Sequence, residues 1–204
     1  NVEYYWFEEM LGRFRDALLP ISLKVGTALG KYGISPNLLT LLGVLTALTT
    51  IPSGIVGVYW LIPTLMVISA VLDWLDGAVA RATSKTTTLG AFIDSFCDRV
   101  SDTSYLISFN YLGINAYLIL VAIPTSLLVS YIRCRAESLG IRLEGIGILE
   151  RGERVIIMIL VAVMASAGWV LVGNYLLLLM VLLNTLTIIQ RVVHVIKVLG
   201  SGWG

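Results

Sequence analysis

The stretch LDWLDGAVARATSKTTTLGAFIDSFCDRVSD, residues 72–102, puts five aspartates into a chain that is 57% hydrophobic with a mean hydropathy of +0.90. What Asp73, Asp76, Asp94, Asp98 and Asp102 do depends on the solvent around them. Charged residues make up 13% of the 204, against about 25% in an ordinary soluble domain. Several apolar runs are long enough to cross ~30 Å of hydrocarbon at ~1.5 Å per residue. A backbone facing lipid must satisfy its own hydrogen bonds, so the spans are helices.

The expected fold is therefore an all-α integral membrane protein with six transmembrane helices, near Leu38–Val58, Leu61–Ala82, Leu89–Leu112, Tyr117–Ala136, Val155–Leu171 and Tyr175–Val195. An amphipathic juxtamembrane helix over 1–31 precedes the membrane domain, 32–204: Glu3, Glu8, Glu9, Arg13, Arg15, Asp16 and Lys24 alternate with Trp6, Phe7, Leu11, Phe14 and Leu18, a pattern suited to the interface. In GISPNLL, Gly33 to Leu39, a break is followed by a helix start.

Charge sets the orientation. The connections around Val58-Tyr59-Trp60, Gly113-Ile114-Asn115 and Gly173-Asn174 carry none, while all 14 Lys and Arg fall in or within a few turns of the other connections and the termini. The positive-inside rule then makes the expected location a multi-pass cell membrane protein with both termini and the active site on the cytoplasmic side. The 13 acidic residues fall on that side too, which the rule does not demand. Cys97 and Cys134 offer neither a disulfide framework nor metal-type spacing, and His194 stands alone; all three read as structural.

At 100° per residue Asp73, Asp76, Gly77, Ala80 and Arg81 fall within about 80° of one direction on the second span. Gly90, Asp94 and Asp98 recur every four residues on the third. An isolated intramembrane charge costs a few kcal/mol, and four carboxylates together repel unless cations hold them. Arg81 alone cannot balance four. Mg²⁺ or Mn²⁺ can, since both prefer oxygen ligands and share them with substrate phosphates. Two ions match four aspartates by charge and suit phosphoryl transfer, with a further carboxylate free to take a hydroxyl proton. The plainer reading makes the aspartates structural partners of Arg81, Lys85 and Arg99; Asp102, three residues after Arg99, is read that way.

Residues 73–98 fit D-x-x-D-G-x-x-A-R-x8-G-x-x-x-D-x-x-x-D at every fixed position. This resembles the signature of the CDP-alcohol phosphotransferase family, in which an alcohol attacks the β-phosphate of a CDP-linked donor and releases CMP. The resemblance implies that Asp73, Asp76, Asp94 and Asp98 hold two Mg²⁺ or Mn²⁺ ions, that Gly77 and Arg81 contact the CDP moiety, that Asp98 is the catalytic base, and that the protein is a homodimer. Three further segments, SYIRCRAESLG (130–140), GIGILERGERVII (145–157) and IIQRVVHV (188–195), resemble the acceptor segments of family members that use inositol phosphate, with phosphatidyl or archaetidyl donors. By that match Ser130, Arg133, Arg154 and Arg191 grip the acceptor phosphate, a role that suits guanidinium donors.

The expected reaction is transfer of a phosphatidyl-type group, archaetidyl by preference, from a CDP-linked lipid to inositol 1-phosphate. Glycerol 3-phosphate as acceptor and CDP-inositol as donor remain alternatives. An ion-coupled transporter would need polar residues toward the far side, where the spans carry no charge. No nucleic acid is expected as a partner.

Overall fold

The computed structural model describes residues 20–84, 86–143 and 145–200. Most of the expected interfacial helix, residues 1–19, lies outside them; residues 20–31 are helical and are called α1. After it come α2 (Pro36–Leu48), α3 (Thr50–Ile55), α4 (Leu61–Ala82), α5 (Thr88–Ser108), a 3-10 turn (Phe109–Leu112), α6 (Ala116–Ser138), α7 (Arg151–Ser166) and α8 (Val170–Gly200). Among the described residues there is no strand.

Among the described residues, four helical stretches are long and apolar enough to cross a membrane: Pro36–Ile55, Leu61–Ala82, Ala116–Ser138 and Val170–Gly200. Of the other two expected spans, α5 has 21 residues but carries Asp94, Asp98, Arg99 and Asp102, and α7 has 16 residues.

The chain divides into two compact units, residues 1–46 with 68–100 and residues 47–67 with 101–204. In the first, α1 meets α4 through two glycines spaced four apart. A Cβ on Gly26 would collide with the Ala78 carbonyl, and one on Gly30 would lie 2.5 Å from Thr83 Cγ2, the close approach that small residues give membrane helices. α2 starts where the sequence indicates: Pro36 takes the first helical position, where its missing N–H costs nothing, and the Leu38 amide donates to Ser35 Oγ at 3.2 Å. Ser69 Oγ on α4 donates to the Gly43 carbonyl at 2.8 Å, tying α4 to α2.

In the second unit α8 packs against both α6 and α7. Met158, Val161 and Ala162 of α7 and Leu177 and Met180 of α8 are fully buried, and Asn184 Nδ2 donates to Ser126 Oγ at 3.1 Å. The connection expected at Gly173-Asn174 is instead at residues 167–169. Gly168, with φ +87, supplies the left-handed residue that ends α7, where side chains are disfavoured. Gly173 lies inside α8 at a close approach, since a Cβ there would come 2.8 Å from Ile114 Cδ1. Asn174 Oδ1 accepts from the Asn115 amide at 2.8 Å, so this pair holds neighbouring segments together.

Candidate active site

Three of the four signature aspartates converge. Asp73 and Asp76 of α4 and Asp94 of α5 each offer an oxygen within 4.8 Å of the others. Asp76 is buried, and Thr40 Oγ1 of α2 donates to its Oδ2 at 2.5 Å. Asp98, one turn beyond Asp94, lies outside this group of three, its Oδ2 3.4 Å from Arg99 NH1.

Beside the carboxylates is a cavity of about 140 Å³ lined by Asn37, Thr40, Asp76, Gly77, Thr87, Gly90 and Asp94 among others. The glycines keep it open. A Cβ on Gly77 would sit 3.1 Å from Arg81 NH1, and one on Gly90 would sit 3.0 Å from Thr87 Oγ1 and 3.4 Å from Asn37 Oδ1. Arg81 thus folds back over Gly77 while its NH2 donates to Ser22 Oγ of α1 at 3.1 Å. Thr87 accepts from the Gly90 amide at 2.9 Å, capping the start of α5.

The four expected acceptor residues all belong to the second unit. Arg154 is 1% exposed and donates from NH2 to Asp102 Oδ2 at 3.4 Å. Arg191 is 2% exposed, with Nε on the Ile146 carbonyl and NH1 on the Val129 carbonyl, both at 2.7 Å. Arg133 and Arg154 are among the charged neighbours of Arg191, together with Glu150 and Glu137. Three guanidiniums from α6, α7 and α8 therefore share one neighbourhood. Arg133 is half-exposed, with Nε 2.9 Å from Glu137 Oε1, and Ser130 Oγ reaches the Ser126 carbonyl at 3.5 Å.

Two residues escaped the sequence reading. Thr40 bonds a signature aspartate from a helix that carries no charge, where it stands beside Asn37 and Thr46 as an ordinary polar residue of an apolar span. Asp102, read as a partner of Arg99, bonds Arg154 and lies 3.6 Å from Arg151 Nε. Its signal was available, since Asp102 continues the four-residue spacing of Asp94 and Asp98 along α5.

Residues 33–201 match the family model described as CDP-alcohol phosphatidyltransferase. The chain belongs to the CDP-alcohol phosphatidyltransferase family. Among relatives, it is 38% identical over 194 residues to the archaetidylinositol phosphate synthase of Pyrococcus horikoshii, covering 95% of this chain and 100% of that protein. It is 34% identical over 157 residues to the phosphatidylinositol phosphate synthase of Mycolicibacterium smegmatis, covering 72% of this chain and 69% of that one. The fold is similar to that of Mycobacterium tuberculosis phosphatidylinositol phosphate synthase with CDP-DAG bound: TM-score 0.74, 27% identity, 87% of this chain and 94% of that chain. The same enzyme in complex with manganese and citrate gives a TM-score of 0.73 at 26% identity over 85% and 88% of the two chains. As a CDP-alcohol phosphatidyltransferase, the protein is a membrane enzyme of group transfer that uses divalent cations. The clustered oxygens of Asp73, Asp76 and Asp94 fit that need, being hard donors of the kind Mg²⁺ and Mn²⁺ prefer.

Proposed function

We propose that this protein transfers the phosphatidyl-type group of a CDP-linked lipid, archaetidyl in the preferred case, to inositol 1-phosphate, with release of CMP. The observation that carries the acceptor is the set of guanidiniums Arg133, Arg154 and Arg191, two of them almost completely buried. Guanidinium forks from three helices can meet one phosphate dianion from several sides, a match that a free alcohol such as serine or inositol would not use. The full-length likeness to an archaetidylinositol phosphate synthase supports the same acceptor and favours the archaeal donor.

In this reading the hydroxyl oxygen of the acceptor attacks the donor's β-phosphorus, the bond from that phosphorus to the CMP oxygen breaks, and Asp98 takes the hydroxyl proton. Asp73, Asp76, Asp94 and Asp98 would hold two divalent cations, whose contribution is to neutralise diphosphate charge and to clamp the attacking and leaving oxygens. Thr40 fixes the Asp76 carboxylate. Gly77 lets the CDP moiety come close to the α4 backbone and Arg81 contacts it, while Ser130, Arg133, Arg154 and Arg191 orient the acceptor through its phosphate. The protein works as a homodimer of six-span chains, each with an interfacial helix over 1–31 before the membrane domain of 32–204, with both termini and the reacting groups on the cytoplasmic side of the cell membrane.

The test is CMP release by purified protein with Mg²⁺ or Mn²⁺, crossing CDP-archaeol, CDP-diacylglycerol and CDP-inositol with inositol 1-phosphate, inositol, glycerol 3-phosphate and serine. The highest kcat/KM is expected for CDP-archaeol with inositol 1-phosphate. Preference for an unphosphorylated alcohol would rule out the phosphate subsite, and preference for glycerol 3-phosphate would replace inositol phosphate as the acceptor.

A further inference from the structure

We infer that Asp102 is a positioning residue for the acceptor subsite: it holds the Arg154 guanidinium in the orientation that receives the acceptor phosphate. The inference rests on the acceptor reading above and adds to it a residue outside the family signature.

Asp102 is 5% exposed, and a carboxylate so buried needs partners. Both come from the first turn of α7. Arg154 NH2 lies 3.4 Å from Oδ2 and Arg151 Nε lies 3.6 Å from Oδ1, so each oxygen faces a different arginine. Helix stability does not explain two arginines there, because the N-terminal turn of a helix carries partial positive charge and disfavours cations. An anion at that end is favoured, and Asp102 supplies one to both arginines, beside Glu150 and Glu153 of the same turn. With Arg191 and Arg133 nearby, the arginines form the set of guanidinium forks to which the acceptor phosphate is assigned above.

Asp102 could serve by charge or by geometry, and the two have opposite signs. As a negative charge alone it would repel the acceptor phosphate, so removing the charge would tighten acceptor binding. As a geometric anchor it keeps a buried, long side chain in one rotamer against repulsion from Arg191 and Arg133, so removing it would weaken acceptor binding. The fork-like guanidinium makes orientation matter, since bidentate contact with phosphate is directional. The geometry points to the second role.

Initial-rate kinetics on Asp102→Asn, Arg154→Ala and their combination decide it, with inositol 1-phosphate and the CDP-linked lipid varied separately. Asp102→Asn is expected to raise the acceptor KM about tenfold or more, equivalent to ~1.4 kcal/mol, with the donor KM within about twofold of wild type, and to add nothing further in the Arg154→Ala background. Asp102→Glu, measured beside it should the neutral variant not fold, keeps the charge but displaces it by one methylene and raises the acceptor KM by less. An acceptor KM unchanged or lowered in Asp102→Asn, an equal effect with and without Arg154, or a wild-type KM in Asp102→Glu overturns the positioning role. If Arg154→Ala raises the acceptor KM in those cases, the acceptor reading survives; if Arg154→Ala leaves it unchanged, both fall.

Discussion

Asp98 differs from the other signature carboxylates in its surroundings. Its Oδ2 faces the Arg99 guanidinium at 3.4 Å, whereas Asp73, Asp76 and Asp94 group together. A carboxylate at the edge of a ligand cluster is suited to accept a proton, because it can hold a cation through one oxygen and meet the acceptor hydroxyl with the other. Asp98→Asn keeps the shape and removes the basicity. Turnover in that variant is expected to fall by about 10²–10⁴, the usual contribution of a positioned general base, while CDP affinity measured by calorimetry stays near wild type. Near-normal turnover would remove Asp98 from the role of base. Arg191 is the contrasting case. Two of its donors are already spent on the Ile146 and Val129 carbonyls, so only what remains of its fork would be open to a phosphate in the proposed subsite, and it also fixes the backbone beside Ser130.

The segment between α6 and α7 is held to α8 by two bonds: the Leu149 amide to Thr187 Oγ1 at 3.1 Å and Arg191 Nε to the Ile146 carbonyl. Between them Gly147, at φ +118, leaves no room for a side chain: a Cβ would lie 2.5 Å from Thr187 Cγ2. Gly147→Ala combines backbone strain with a clash and is expected to cost roughly 1–3 kcal/mol, read as a lower Tm, with the acceptor KM rising more than the donor KM because Arg191 loses a partner. An unchanged Tm would show that the loop is not clamped there. Elements of this kind mark where the sequence stops being informative. The carboxylates of α4 and α5 are legible because each helix repeats its polar residues on one face, and the start of α2 is legible because Ser35 and Pro36 are local signals. The α7–α8 connection is not: Gly173-Asn174 has turn composition, and only packing against Ile114 and the bond to Asn115 reveal that it sits inside a helix. The double pairing of Asp102 is equally invisible, because its partners are about fifty residues away in sequence.

Across the molecule, the chemistry depends on carboxylates that repel one another without cations between them. Treatment with EDTA is expected to abolish CMP release, and Mg²⁺ or Mn²⁺ in excess of the chelator to restore it; alanine at Asp73, Asp76 or Asp94 should abolish it with no rescue by metal. Release continuing at its original rate in EDTA would overturn the metal requirement. The length of α8 bears on the same membrane. At ~1.5 Å per residue its 31 residues extend about 46 Å, well beyond ~30 Å of hydrocarbon. Arg191 stands near the point, counted from Val170, where a bilayer of ordinary thickness ends. The excess length is taken up by helix tilt or by an overhang beyond the hydrocarbon, at a cost of fractions of a kcal/mol per Å of mismatch, while the Arg191 guanidinium stays inside the protein on the Ile146 and Val129 carbonyls. An enzyme that works on membrane lipid thus has, in one helix, a span long enough to carry its arginine to the edge of the hydrocarbon without exposing it there.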